Sequence, residues 1–121
     1  MVRNILLVGL GGAAGAMLRY GITLLFTFMH WSTNIGTLLT NVIGSFIMGM
    51  LVSTFEQSPM LLFATVGLCG GFTTFSTFSM QSVTLLQQGR YGAAALYIMG
   101  TMLLCVGFAA LGCISARRLG L

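Results

Sequence analysis

The residues of this chain best suited to chemistry carry no charge, and they cluster between positions 67 and 79. That segment, GLCGGFTTFSTFS, sets serine and threonine hydroxyls among phenylalanines in an otherwise apolar run. A hydroxyl donates a hydrogen bond and a phenyl ring has an electropositive edge, so both can solvate a small anion without trapping it as a full charge would. Phe75 and Phe78 are therefore candidates for the wall of an anion path, although phenylalanine in an apolar helix more often packs or contacts lipid.

A glycine pair precedes these rings. Gly70 and Gly71 each weaken a helix by about 1 kcal/mol relative to alanine, and the side chains of Thr73 and Thr74 can compete for backbone carbonyls. We predict a break in the helix here. Backbone carbonyls that such a break releases, from Gly70 or Thr73, are hard oxygen ligands of the kind that bind an alkali cation.

Two further stretches carry polar side chains at helical spacing, so that each set shares one helix face. The first set is Asn34, Thr37, Asn41 and Ser45, and the second is Tyr97, Thr101 and Cys105. Such a stripe can hold neighbouring helices together, or it can line a path for a solute. Tyr97 fits equally well in a belt of tyrosines at the membrane surface.

Arg19 is the one charged residue well inside an apolar run. Its long side chain can snorkel to the membrane surface. Alternatively, it can form an electropositive vestibule that concentrates anions. The sequence is compatible with both interpretations.

The elements that must position these residues are long apolar helices. The 121 residues are 57% apolar and 5% charged, whereas a soluble domain carries about a quarter charged residues. Four apolar runs, at about 5–28, 34–55, 60–86 and 91–114, are each long enough to cross a hydrocarbon core of about 30 Å as a helix. We predict a single all-α domain over residues 1–121, a polytopic membrane protein with four transmembrane helices whose third helix is broken near its middle.

The few charged residues constrain partners and topology. Five arginines and one acid, Glu56, give a net charge of +4, but the arginines are scattered rather than clustered along a groove, so we expect no nucleic-acid partner. With four spans, both termini lie on one side, which carries three arginines against two on the other. This bias is weak under the positive-inside rule. Insertion in both orientations, and hence an antiparallel homodimer, is compatible with it.

Three other patterns argue against an enzyme. The glycine run from Gly9 to Gly15 lacks the preceding strand and the acid about 20 residues later that a dinucleotide site needs, so we interpret Gly11 and Gly15 as a close-packing face. The three cysteines form no CxxC pair and fit small hydrophobic residues better than metal ligands. One histidine and one acid offer no catalytic acid–base pair.

These motifs resemble the CrcB/Fluc family of fluoride channels. GGAAGAMLRY from Gly11, GTLLTNVIGSFIMG from Gly36 and GGFTTFSTFS from Gly70 occur in the family's order on the first three spans, and the fourth span agrees in length and polarity. The third motif is highly specific. The resemblance covers essentially the whole chain.

The resemblance implies an antiparallel, dual-topology homodimer with two separate pores that pass fluoride. By similarity, Phe75 and Phe78 line the pores, Asn41 supplies a pore-facing amide, and Ser76 and Thr77 contribute hydroxyls. Arg19 aligns with an arginine and Tyr97 with a tyrosine of the family. With the stripe residues included, the candidate anion pathway comprises Arg19, Thr37, Asn41, Phe75, Ser76, Thr77, Phe78, Tyr97 and Thr101.

The resemblance also implies one structural sodium ion at the dimer centre, held by the backbone carbonyls of Gly70 and Thr73 from both subunits. Two positions depart from the family's pattern. Gln81 stands where many members carry an acid, and Cys105 stands where a hydroxyl is common. Both changes alter the polar groups along the pathway.

We therefore expect a passive, fluoride-selective channel that lowers cytoplasmic fluoride. It would be a multi-pass protein of a prokaryotic cell membrane, and its partners would be fluoride, a second copy of the chain and membrane lipid. A small multidrug-type antiporter of dual topology would need an acid inside the membrane, whereas Glu56 lies beside Pro59 between two apolar runs. The other alternative is a structural membrane subunit whose polar stripes only hold helices together.

Overall fold

The computed structural model describes residues 1–120, which form a bundle of helices. In chain order these are α1 (Val2–Phe28), α2 (Thr33–Thr54), α3 (Pro59–Leu62), a π-helical segment (Phe63–Cys69), α4 (Gly70–Phe72), α5 (Phe75–Gln87) and α6 (Tyr91–Arg118). The segments from Pro59 to Gln87 together form a third span. All four spans are long and apolar enough to cross a membrane, which confirms the prediction of an all-α protein with four membrane-spanning helices.

The ends of the helices follow from local chemistry. Ser58 caps the third span, because its Oγ accepts a hydrogen bond of 3.1 Å from the amide of Leu61, and Pro59 occupies the first helical position. α6 continues to Arg118 rather than ending near residue 114. Its last turn carries Arg117 and Arg118, and a positive charge beside the carbonyl end of a helix stabilises it by about 0.3–1 kcal/mol.

The third span breaks at Thr73 and Thr74, within the stretch of two glycines and two threonines where the break was predicted. Thr73 (ψ 158°) and Thr74 (φ −149°, ψ 123°) are extended. The Thr73 hydroxyl bonds the carbonyl of Cys69 behind it at 2.9 Å. The Thr74 hydroxyl accepts from the amide of Thr77 at 3.3 Å and so caps α5. The threonines therefore end one helix and start the next, while Gly70 and Gly71 remain helical.

Gly71, together with glycines of α1, allows α1 to approach the third span closely. A Cβ at Gly71 would overlap the carbonyl oxygen of Gly12, and one at Gly15 would overlap the carbonyl oxygen of Leu68. A Cβ at Gly11 would lie 2.5 Å from the carbonyl oxygen of Phe63. Contacts this close are available only to glycine, and they confirm the close-packing role predicted for Gly11 and Gly15.

A second glycine contact joins α2 to α6. A Cβ at Gly112 would overlap the carbonyl oxygen of Phe46, and a Cβ at Gly49 would overlap the carbonyl oxygen of Ala109. The two helices therefore touch backbone to backbone. This crossing fixes one side of the space in which the polar side chains of α2, the third span and α6 meet.

Candidate functional site

A cavity of about 330 Å³ opens beside the helix break, between α2, the third span and α6. Its lining residues are Asn41, Gly44, Ser45, Met48, Cys69, Thr73, Thr74, Phe75, Phe78, Thr101, Met102, Cys105, Val106 and Ala109. Of the nine predicted pathway residues, it brings together Asn41, Phe75, Phe78 and Thr101. Polar stripes and phenyl rings that are far apart in the chain thus share one cavity.

Asn41 holds the break open. Its Nδ2 donates to the carbonyl of Thr74 at 3.0 Å, and its Oδ1 accepts from the amide of Thr74 at 2.7 Å. The side chain is buried, with 8% exposed. One Nδ2 hydrogen remains for another acceptor, because a primary amide has two donors. The two interpretations of this stripe are therefore compatible: the amide ties two spans together and also lies on the cavity wall.

The predicted aromatic pair lies at the cavity and continues into a third ring. The centroids of Phe75 and Phe78 are 5.6 Å apart with an interplanar angle of 60°, and those of Phe78 and Tyr97 are 5.3 Å apart at 56°. Phe78 is 6% exposed, whereas Phe75 is 72% exposed. In such tilted pairs the electropositive edge of one ring lies toward the electronegative face of the other. Phe75 therefore forms the outer margin of the cavity on this chain.

Tyr97 lies outside the cavity lining, one ring away. Its hydroxyl donates to Oε1 of Gln81 at 2.6 Å. Gln81 is the position where an acid was expected from the resemblance, and here its neutral amide accepts the tyrosine hydrogen. The hydroxyl oxygen of Tyr97 remains an acceptor, but its one hydrogen is used.

Of the predicted serine and threonine residues, one lines the cavity and three do not. Thr101, which is 5% exposed, has a buried Oγ1 with no hydrogen-bond partner among residues 1–120, and the residue lines the cavity. Thr37 bonds the carbonyl of Thr33 at 3.1 Å, and Thr77 bonds the Thr74 hydroxyl at 3.2 Å. Ser76 is exposed. These last three residues do not line the cavity of this chain.

Thr74 was missed as a site residue. Its backbone is the partner of Asn41, its hydroxyl caps α5, and it lines the cavity. The signal was present in the sequence, since a threonine three residues before Thr77 at the start of a helix fits an N-cap. Thr74 was considered only as a residue that weakens the helix, and not as a cap or as part of the cavity wall.

Arg19 neither reaches the end of its helix nor lines the cavity. Its Nε donates to the carbonyl of Gly71 at 3.2 Å, and the side chain is half-buried. The arginine thereby links α1 to the third span just before the break. It also brings a positive charge close to the site, which raises the local potential for an anion.

The break ends the helical hydrogen bonding of the backbone carbonyls of residues 70–73. The amide of Thr74, which would bond the carbonyl of Gly70 in a continuous helix, donates to Asn41 instead. The amide of Thr77, which would bond the carbonyl of Thr73, donates to the Thr74 hydroxyl. The carbonyl of Gly71 is taken by Arg19. The freed carbonyls of Gly70 and Thr73 are hard oxygen donors, so their chemistry fits an alkali cation.

The family profile and the individual relatives that match this chain agree with one another. Residues 6–113 match the sequence profile of the family described as CrcB-like protein, Camphor Resistance (CrcB). The chain is 46% identical to the fluoride-specific ion channel FluC of Campylobacter jejuni (strain RM1221) over 117 residues, which are 93% of this chain and 96% of that protein. It is 39% identical to the protein of the same name from Pseudomonas putida (strain W619) over 127 residues, covering 97% of this chain and 100% of that protein. Its identity to the FluC of Pseudomonas aeruginosa (strain UCBPP-PA14) is 40% over 113 residues, 86% of this chain and 89% of that protein.

Proposed function

This chain belongs to the CrcB family of fluoride ion channels, and on that premise we propose that it conducts fluoride passively through the cavity beside the helix break and so lowers cytoplasmic fluoride. It is a multi-pass membrane protein with four spans. The observation that carries the proposal is the convergence of Asn41, Phe78 and Thr101, from three separate spans, on one cavity. The protein is a transport protein of the channel class rather than an enzyme.

The chemistry of the cavity suits a small, strongly hydrated anion. Phe75 and Phe78 offer electropositive ring edges, Asn41 has one unused amide hydrogen, and the hydroxyl of Thr101 has no partner among residues 1–120. Together these groups replace water molecules around the ion without a charge that would hold it. Passage therefore depends on neutral donors and on ring edges.

The position of the chain's one acid favours a passive channel over a proton-coupled antiporter. Glu56 is exposed in the connection between α2 and α3 and is absent from the residues lining the cavity. An antiporter for cationic drugs would need a carboxylate at the transport site to exchange a proton for its substrate. A structural subunit would not need the unpartnered hydroxyl of Thr101.

Phe78→Ile tests the role of the rings. We expect fluoride efflux from proteoliposomes, followed with a fluoride electrode, to fall at least about tenfold, equivalent to about 1.4 kcal/mol on the barrier, because isoleucine has no electropositive edge to solvate the ion. Wild-type protein should release fluoride and retain chloride.

Phe108→Ile is the matched control for this substitution. Phe108 pairs with Phe46 at 6.4 Å and does not line the cavity, so its efflux should remain near that of the wild type. Equal efflux from the two variants would show that the ring of Phe78 does not serve the path.

We propose further that the functional unit is an antiparallel homodimer of dual topology. Phe75 supports this, because a ring that is 72% exposed on one chain can complete a path only if a second surface covers it. The near balance of arginines on the two sides of the membrane is also consistent with insertion in both orientations. The second copy would close the cavity on its open side.

We also propose that the carbonyls of Gly70 and Thr73 hold a structural sodium ion between the two copies. Gly70 is exposed, and both carbonyls have lost their helical partners at the break. A bound sodium ion would supply a positive charge near the path and neutralise carbonyl dipoles that face each other across the dimer. Asn41 and the threonines keep the break in the conformation that presents these oxygens.

Removal of sodium tests the dimer and the ion together. With sodium replaced by N-methyl-D-glucamine, we expect the purified protein to lose thermal stability, since an ion at 100 times its Kd contributes about 2.7 kcal/mol, and fluoride efflux to fall. Light scattering in sodium should give twice the mass of one chain. A single-chain mass in sodium would contradict the dimer, and identical melting and efflux without sodium would contradict the ion site.

A further inference from the structure

Four sulfur-bearing side chains line the cavity, and the proposed fluoride path uses none of them. Met48 lies on α2, Cys69 in the π-helical segment, and Met102 and Cys105 on α6. The sulfur atoms thus come from all three walls. The third cysteine, Cys113, is not part of this set, because its Sγ donates to the carbonyl of Gly49 at 3.4 Å at the α2–α6 crossing.

These side chains line one cavity, and two of them are neighbours on the same helix. Met102 and Cys105 are three residues apart on a continuous helix, so they share a face with Cβ atoms about 5–6 Å apart. Cys69 approaches from another wall, is 5% exposed and forms no disulfide. The cavity of about 330 Å³ that they line can hold an ion without its water shell.

Thiolates and thioethers are soft ligands, and they select copper(I) and silver(I) over the hard cations sodium and magnesium. We propose that the sulfur atoms of Cys69, Cys105, Met48 and Met102 form a binding site for a soft monovalent metal ion, copper(I) or silver(I). The half-buried Cys105 is the thiolate ligand, and the thioether of Met102 is its neighbour. Cys69 and Met48 complete the site from the opposite walls.

Binding leaves the charge of the site unchanged. The thiol of Cys105 releases its proton to solvent as a sulfur lone pair bonds the metal, so S–H and M⁺ become S–M and H⁺, and nothing is oxidised or reduced. The other sulfur atoms donate lone pairs without losing protons. No net charge is therefore added inside the membrane, where an unpaired charge is costly.

A metal ion here would obstruct fluoride. Asn41, Phe78 and Thr101 line the same cavity as the sulfur atoms, so an ion bound among them fills the space that the proposed path crosses. This consequence, unlike the binding itself, rests on the proposed function. The site would make fluoride conduction sensitive to soft metals.

Titration of the purified full-length protein with silver nitrate in chloride-free buffer tests the binding, with bound silver counted by elemental mass spectrometry. Cys113→Ser is the matched control and should keep one tightly bound silver ion per chain. Cys105→Ser should weaken that binding at least about 100-fold, and Met102→Leu, which retains the shape of the side chain, about tenfold. Unchanged silver binding in Cys105→Ser, or its loss in Cys113→Ser, would overturn the proposal.

Fluoride efflux from the same preparations tests separately whether silver bound at the sulfur site obstructs fluoride conduction. Silver should stop efflux in Cys113→Ser and not in Cys105→Ser. If silver binds at Cys105 while efflux continues, the metal site is supported and the proposed obstruction of fluoride is wrong. If the protein passes no fluoride even without silver, the proposed function fails, and the titration alone decides whether the sulfur site exists.

Discussion

Asn41→Asp is expected to reduce fluoride efflux at least about 100-fold, equivalent to about 2.7 kcal/mol on the barrier. Aspartate has nearly the same shape but no N–H, so the hydrogen bond of 3.0 Å to the carbonyl of Thr74 is lost and two oxygens face each other. The side chain is also buried, with 8% exposed, and an ionised carboxylate there repels a passing anion. Proteoliposome efflux followed with a fluoride electrode measures the effect.

Asn34→Asp is the control for this substitution on the same helix. Asn34 is the second residue of α2, where a carboxylate is favoured by about 0.3–1 kcal/mol because it lies at the positive end of the helix dipole. We expect its efflux to stay within about twofold of wild type, since its charge sits at the helix end rather than at the cavity. Equal losses in the two variants would mean that added negative charge anywhere on α2 is harmful, and the amide of Asn41 would have no special role.

Gly112→Leu is expected to have the largest effect on stability. A Cβ at this position would overlap the carbonyl oxygen of Phe46 and lie 3.0 Å from the amide nitrogen of Met50. Backbone atoms cannot rotate away, so α2 and α6 would have to separate along their contact. We expect a loss of about 3 kcal/mol or more, seen as aggregation on size-exclusion chromatography and a lower melting temperature in detergent.

Gly107→Leu provides the comparison on the same helix. A Cβ at Gly107 would meet nothing within 4 Å, and the residue is exposed. Leucine is also a better helix former than glycine by about 0.8 kcal/mol. This variant should therefore fold like the wild type, with a melting temperature equal to or slightly above that of the wild type. If both leucines are tolerated, the α2–α6 backbone contact is not needed for the fold.

Much of the fold could be predicted because hydrophobicity and length determine which segments can cross a membrane. The break in the third span was predicted within residues 70–74, and the structure confirms it there. Glycine propensity and the threonine hydroxyls left open which of these residues would leave the helix, and the structure shows that they are Thr73 and Thr74. Packing against Gly12 keeps the glycines helical, and such tertiary contacts cannot be read from propensity.

The π-helical segment Phe63–Cys69 was not predicted at all. Its residues are apolar and show no unusual periodicity, because a π-helical turn depends on how a helix is held by its neighbours rather than on its own composition. This segment packs closely on α1, for example at Gly67, where a Cβ would lie 2.8 Å from the carbonyl oxygen of Val8, and such contacts exist only in three dimensions.

Within the candidate site, residue type and spacing identified side chains that meet at the cavity but not what each one bonds. Asn41, Phe78 and Thr101 line it. The partners of Asn41 and Tyr97 lie 33 and 16 positions away in the chain, and a single sequence carries no information on such pairs. The roles assigned to Ser76 and Thr77 stay predictions, since these residues lie outside the cavity of one chain.

Because α2 and α6 meet backbone to backbone, the side chains on their outward faces contribute little to this contact. Because main-chain atoms at Gly49 and Gly112 set the spacing of the two helices, exposed residues of α6 such as Leu96 and Leu103, which are 76% and 69% exposed on one chain, only need to be apolar wherever the second copy does not cover them. Their size and number can be adjusted to match bilayers of different thickness. A protein engineer could therefore move this bundle between host membranes by rewriting the part of its outer surface that lies outside the proposed dimer interface.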